Sequence, residues 1–250
     1  MSIRTLPAFF SVCFALMAQE SSGTVILRHA AQAYTRLRSE SVEATVFMDM
    51  KTHRIEIPIV GAIVRPDKFH FEVVNSLMGS HTISDGHNIW KYVAAFQQYT
   101  KMPVSPGIIP IEEGPRDILA GERVLDRLRS AVRLRREKLS VDGKQVDCDV
   151  IEATYEPDES GNPGKDTRKN FWVDVHRGVI LKVSSLIRMD SPETGGAREI
   201  AQSVTVTSIK LNEPLRDSLF VFVAPEGAKE VAQLVPPRRA PEIGQQPERE

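Results

Sequence analysis

The chain has 250 residues, with 32 Lys+Arg against 33 Asp+Glu for a formal net charge of −1. Its 41% hydrophobic and 26% charged residues match a folded globular protein and exclude disorder over most of its length, and the neutral balance argues against a nucleic-acid binder. The 2 cysteines, Cys13 and Cys148, cannot build a disulfide framework, and no stretch after residue 18 has the roughly 20 apolar residues of a membrane span.

Residues 1–18 place Arg4 before an apolar run that closes on Ala18, followed by polar Gln19 and Glu20. This is the layout of a secretory signal peptide, cleaved after Ala18. Phe10, Ser11 and Val12 lack the small residue that a lipidated Cys13 needs at its side. Cleavage leaves Cys148 as a single thiol in an oxidising compartment. It shares a strand face with Val146 and Val150 and reads as a small buried hydrophobe.

The spacing of Val25, Ala30, Ala33, Tyr34 and Leu37 predicts a helix over 25–38. The period then falls to two. Val42, Ala44, Val46, Met48 and Met50 alternate with Glu43, Thr45, Phe47, Asp49 and Lys51, which predicts a strand. Ile55, Ile57 and Ile59 continue the pattern from His53, and Phe69, Phe71 and Val73 begin another strand after the turn at Pro66-Asp67. Strands at 78–84, 88–94 and 96–101 follow, with Asp85-Gly86 a strong hairpin signal between the first two.

A Pro/Gly-rich connection spans 103–114, and Pro115 opens a predicted helix to about 134, striped by Ile118, Leu119, Val124, Leu125, Leu128 and Val132. Arg129, Arg133, Arg135 and Arg136 suit the negative end of its dipole. Further strands are predicted at 137–141, 145–155, 168–175, 179–188 and 198–211, with a short addition at 219–223. Loops at 157–165 and 190–196 divide them. Residues 231–250, rich in Pro and Arg, form a tail with nothing to bury.

The expected fold is mainly β (α+β): a strongly curled antiparallel sheet, an unclosed barrel of about eleven strands, with helices across its mouth. The expected domains are a leader at 1–18, one folded domain at 19–230 and a tail at 231–250. An apolar concavity is where function belongs in such a shape.

Catalytic signatures are absent: there is no Gly-x-Ser-x-Gly elbow, phosphate-binding glycine loop or Cys-x-x-Cys pair. His81, Asp85 and His87 flank a hairpin, but alternation joins only His81 and Asp85 on one face, short of the three or four ligands a metal requires. Carboxylates at Glu112, Glu113, Asp147 and Asp149 fall in a loop or on a polar strand face. A protein without catalytic residues, metal or cofactor is expected.

Three segments are familiar in combination: Asp85-Gly86 with Trp90 and Tyr92; Trp172 and Asp174 with Gly178 and Lys182; and Asp217, Phe220, Phe222, Pro225 and Gly227. In this order they resemble the periplasmic outer-membrane lipoprotein carrier (LolA-like) family and its lipoprotein-sorting relatives. The resemblance implies an unclosed barrel with a helical lid over an apolar cavity for acyl chains. It implies no enzyme and no cofactor. It further implies a monomeric periplasmic carrier of lipoproteins or lipids, moving them toward the outer membrane between a donor at the inner membrane and an acceptor at the outer one. The cavity wall would then be Val46, Met48, Ile55, Ile57, Phe69, Phe71, Ile89, Leu181 and Val183. Arg54 and Arg65 both lie where the family has an arginine facing the helices. The alternative is a non-enzymatic sensory or structural interaction module of the envelope, built on the same fold.

Overall fold

The computed structural model describes residues 22–49, 54–75, 79–105, 110–111, 114–156, 165–190 and 197–236. The expected leader, Cys13, Met50, His53, Met78, Glu112, Glu113, residues 157–164 and 191–196, and the tail from 237 onward lie outside the described residues.

One helix, α1 (Ser22–Thr35), precedes six strands: β1 (Ser39–Asp49), β2 (Arg54–Val64), β3 (Lys68–Val73), β4 (Ser80–Asp85), β5 (Asn88–Val93) and β6 (Gln98–Pro103). A short helix, α2 (Pro115–Leu119), leads to β7 (Leu128–Val141), β8 (Lys144–Tyr155), β9 (Lys165–Asp174), β10 (Ile180–Asp190) and β11 (Ala197–Leu211). The two-residue β12 (Lys229–Glu230) closes the series. All twelve strands form one open sheet, in the order β12-β6-β5-β4-β3-β2-β1-β11-β10-β9-β8-β7. β12 runs parallel to β6, and every other pairing is antiparallel. Among the described residues no helix is long and apolar enough to cross a membrane.

The hairpins form where the turn chemistry dictates. Asp85 Oδ1 accepts the His87 and Asn88 backbone N–H groups at 2.7 and 2.8 Å, and Gly86 takes a left-handed φ of 95°. Asp174 holds the β9–β10 turn in the same way, accepting from the backbone of His176 and Arg177 ahead of Gly178 at φ 71°. Two of the three family-like segments are therefore anchored by the turn residues that make antiparallel hairpins.

Two expected elements differ. The predicted helix at 115–134 survives only as α2 and a single 3-10 turn at Gly121–Arg123. Arg127 then adopts a left-handed φ of 61°, and the chain enters β7, which pairs with β8 along almost its whole length. A long antiparallel ladder to the next strand in the chain overrides the local helical period, as pairing beyond the local window commonly does. The arginines expected at a helix end instead line an edge strand, where Arg133 and Arg136 reach Asp149 at 2.7 and 3.2 Å. Charge on an edge guards it against pairing with another chain. The strand expected at 219–223 is instead a 3-10 turn, Asp217–Phe220, that lies against β3 and β4, and the last strand is β12.

One face of the sheet and both helices make a continuous core. α1 supplies Leu27, Ala30, Ala31 and Tyr34, α2 supplies Ile118 and Leu119, and the sheet supplies Phe71, Ile151, Phe171, Leu181 and Val206 among others. Cys148 is fully buried, and burial followed by the nearby Asp174 pushes its thiol up to about 12, so it is an inert packing group.

Candidate functional site

The strand registers bring the expected wall residues onto one face. Val46 lies opposite Ile57 on β2 and Val204 on β11, and Met48 lies opposite Ile55. Val204 in turn faces Val183, which faces Phe171 on β9. On the other side of β2, Gly61 meets Phe71 and Ile63 meets Phe69, and Ile89 follows through Ser84. Val46, Phe69, Phe71, Ile89, Leu181 and Val183 are buried in the core; Met48 and Ile57 pack at its margin, and Ile55 is half-buried.

The helices cover this face without joining the sheet's hydrogen-bond ladder. α2 can approach because β2 carries a glycine: a Cβ on Gly61 would come within 2.7 Å of Leu119 Cδ1. The following turn approaches α1 as closely, since a Cβ on Gly121 would lie 2.3 Å from the Tyr34 ring. Tyr34 is fully buried, and its hydroxyl oxygen accepts the Ile180 backbone N–H at 3.0 Å, tying α1 to β10.

Two ion pairs fasten the α2 segment. Lys169 Nζ on β9 reaches Asp117 Oδ2 at 2.6 Å, and Arg65 Nη2, after β2, reaches Glu122 Oε2 at 3.1 Å. Of the two candidate arginines, Arg65 is the one that faces the helical segment. Arg54 lies on the opposite face, pairing with Glu56 and resting 4.3 Å from the Phe47 ring centroid.

Beneath the Arg65 pair sits Glu40, on the apolar stripe of β1 and 0% exposed. Arg65 Nη2 is 3.8 Å from its Oε2, yet neither carboxylate oxygen has a hydrogen-bond partner, and neither does Arg65 Nη1. Burial, opposed by Arg65 and reinforced by Glu122, pushes the Glu40 carboxyl up to about 8. The same burial, and then the Glu40 charge, raises the Tyr34 hydroxyl well above its ordinary value. The helical segment is thus anchored beside a buried carboxyl whose oxygens no hydrogen bond satisfies.

Sequence reasoning missed Glu40 and Lys169, although a signal was present. Each sits in phase with apolar neighbours, Glu40 with Val42 and Val46, and Lys169 with Phe171 and Val173. A charge on the inward phase of a strand needs a partner from elsewhere in the fold.

If the two pairs hold the lid, Arg65→Gln with Asp117→Asn should speed amide exchange across 115–126 by at least about tenfold, or about 1.4 kcal/mol in local opening. Exchange in β1, β2 and β11 should not change. Equal acceleration everywhere would show global destabilisation instead.

The opposite face carries a groove of about 470 Å³ lined by Phe47, Arg54, Asn170, Lys182, Ser184 and Ser203 among others. Its polar lining does not suit an acyl chain. His81, Asp85 and His87 do not converge: Asp85 holds its own turn, and His87 is exposed.

Fold and site together define a class: an open antiparallel sheet with one apolar face, capped by two helices that are held by packing and a few ion pairs. No protein-family model and no curated protein matches the sequence. Solved structures do show likeness. A LolA superfamily protein of Nitrosomonas europaea is 16% identical at a TM-score of 0.37, over 80% of this chain and 97% of that one. A DUF1329 family protein of Desulfovibrio piger is 12% identical at 0.37, over 80% and 98%. LprF of Mycobacterium bovis is 12% identical at 0.40, over 77% and 93%. At these identities and TM-scores the likeness decides neither ligand nor partner.

Proposed function

We propose that the protein is a periplasmic, non-enzymatic binder and carrier of acylated ligands, lipoproteins or lipids. In this reading a signal peptide at 1–18 is removed on export, the domain at 19–230 works as a monomer, and the tail from 231 contributes nothing to the core. The ligand is taken from a donor at the inner membrane and released to an acceptor at the outer one. The observation that carries the reading is the apolar sheet face covered by a lid that is fastened by the Lys169–Asp117 and Arg65–Glu122 pairs instead of strand pairing.

The physics suits the task. Each methylene exposed to water costs about 0.8 kcal/mol, so a long acyl chain crosses an aqueous compartment only under cover. The cover must also release it, which a few marginal polar contacts allow. Met48 at the edge of the face adds a deformable side chain.

The test is organic extraction and mass spectrometry of protein exported by its own leader and purified without detergent. Near-stoichiometric lipid or acylated peptide is expected, with a clear loss in Ile57→Asp. Ile57 is preferable to Phe71, whose full burial would confound binding with folding. Folded wild-type protein that yields no acyl species would remove the carrier reading and leave the interaction module.

A further inference from the structure

We propose that His70, Glu72 and His81 form a binding site for a borderline divalent cation of the zinc type, on the sheet face opposite the lid. The three side chains offer ligand atoms that all lie within 4.8 Å of one another. His70 and Glu72 alternate with Phe69 and Phe71 on β3 and so point away from the core, and the β3–β4 register sets His81 directly across from Glu72.

The details match a metal better than a set of ion pairs. His70 Nε2 is 3.5 Å from Glu72 Oε2, and His81 Nε2 is 3.9 Å from Glu72 Oε1. These separations exceed a good hydrogen bond. They approach the roughly 3.4 Å between two ligands of a tetrahedral zinc with bonds of about 2.0–2.1 Å. His70 Nδ1 lies 2.9 Å from the Leu219 carbonyl oxygen. A carbonyl only accepts, so Nδ1 donates to it, which leaves Nε2 facing Glu72 as the nitrogen available to a cation. Fixing a ligating imidazole through its other nitrogen is the usual support for a metal site. All three residues are partly shielded, with side-chain exposures of 14%, 30% and 37%. Two imidazoles and one carboxylate suit zinc-like cations and leave a fourth position for water or an external ligand.

The site would also bind the C-terminal segment to the sheet. Leu219 belongs to the Asp217–Phe220 turn, and just beyond it Phe222 stacks on Trp90 at 5.8 Å between centroids. A cation that orders His70 would therefore strengthen the contact between that turn and β3.

The experiment is competition for Zn²⁺ between a chromophoric chelator and the tag-free full chain. One equivalent binding at about 1 μM or tighter is expected. His81→Gln and Glu72→Gln should each weaken binding at least about tenfold, with His87→Ala unchanged as the control. Both variants alter partly exposed side chains; unchanged circular dichroism would establish that they fold. Co²⁺ added to the wild type should give four-coordinate visible bands that disappear in His70→Ala. Absence of competition, or zinc binding retained in His81→Gln, would overturn the proposal.

Discussion

Tyr34→Ala is expected to lower the unfolding free energy by about 3–5 kcal/mol, the range for removing a fully buried aromatic side chain. Tyr34 has no exposed surface, supports the turn at Gly121 and joins α1 to β10. In a chain of this size, the loss corresponds to roughly 2–4 °C in Tm per kcal/mol. Tyr34→Phe separates ring from hydroxyl. It keeps the packing but leaves the Ile180 N–H without its acceptor, at a cost of about 1–3 kcal/mol. Urea titration of the three proteins checks both steps. A Phe variant as stable as wild type would show that the Ile180 amide finds another acceptor; an Ala variant within 1 kcal/mol, on the same scale, would show that α1 contributes little to the core.

Glu40→Gln should stabilise the protein above neutral pH and remove a pH dependence. The Glu40 carboxyl has an ordinary value of 4.5 when unfolded and about 8 when folded. Between those values the folded state keeps a proton that the unfolded state has released. Its stabilising contribution is therefore complete below pH 4.5 and is lost as pH rises toward 8. One such proton gives a slope of at most about 1.4 kcal/mol per pH unit. Glutamine has the same shape without the charge, and Arg65 retains Glu122. The difference in stability between variant and wild type should widen steadily from pH 5 to pH 8, as read by thermal melts across that series. Parallel curves would mean that Glu40 is solvated or paired in the folded state.

Much of the fold was legible because its causes are local. The alternation from Val42 to Met48 specifies a strand within a few residues, and Asp85-Gly86 specifies its hairpin through one carboxylate and two backbone amides. That Val46, Phe71 and Val183 turn to the apolar face was readable for the same reason: a two-residue period fixes which side chains share a face. Less legible was the segment 115–134, whose apolar spacing fits a helix as well as anything. The state of β7 depends on β8, which no window of that sequence contains.

By itself, then, the sequence determined an open antiparallel sheet with one apolar face and two helical segments, through side-chain period and turn chemistry. Only the tertiary structure decided which arginine faces the lid, because Arg54 and Arg65 are equivalent until β2 is assigned its faces and its end. Tertiary structure also made Glu40 a buried carboxyl that holds its proton, through the helices laid over it. His70 and Glu72 were already on one side of their strand. His81 joined them only through the β3–β4 register, a long-range pairing set by the whole apolar face and not by the residues it brings together.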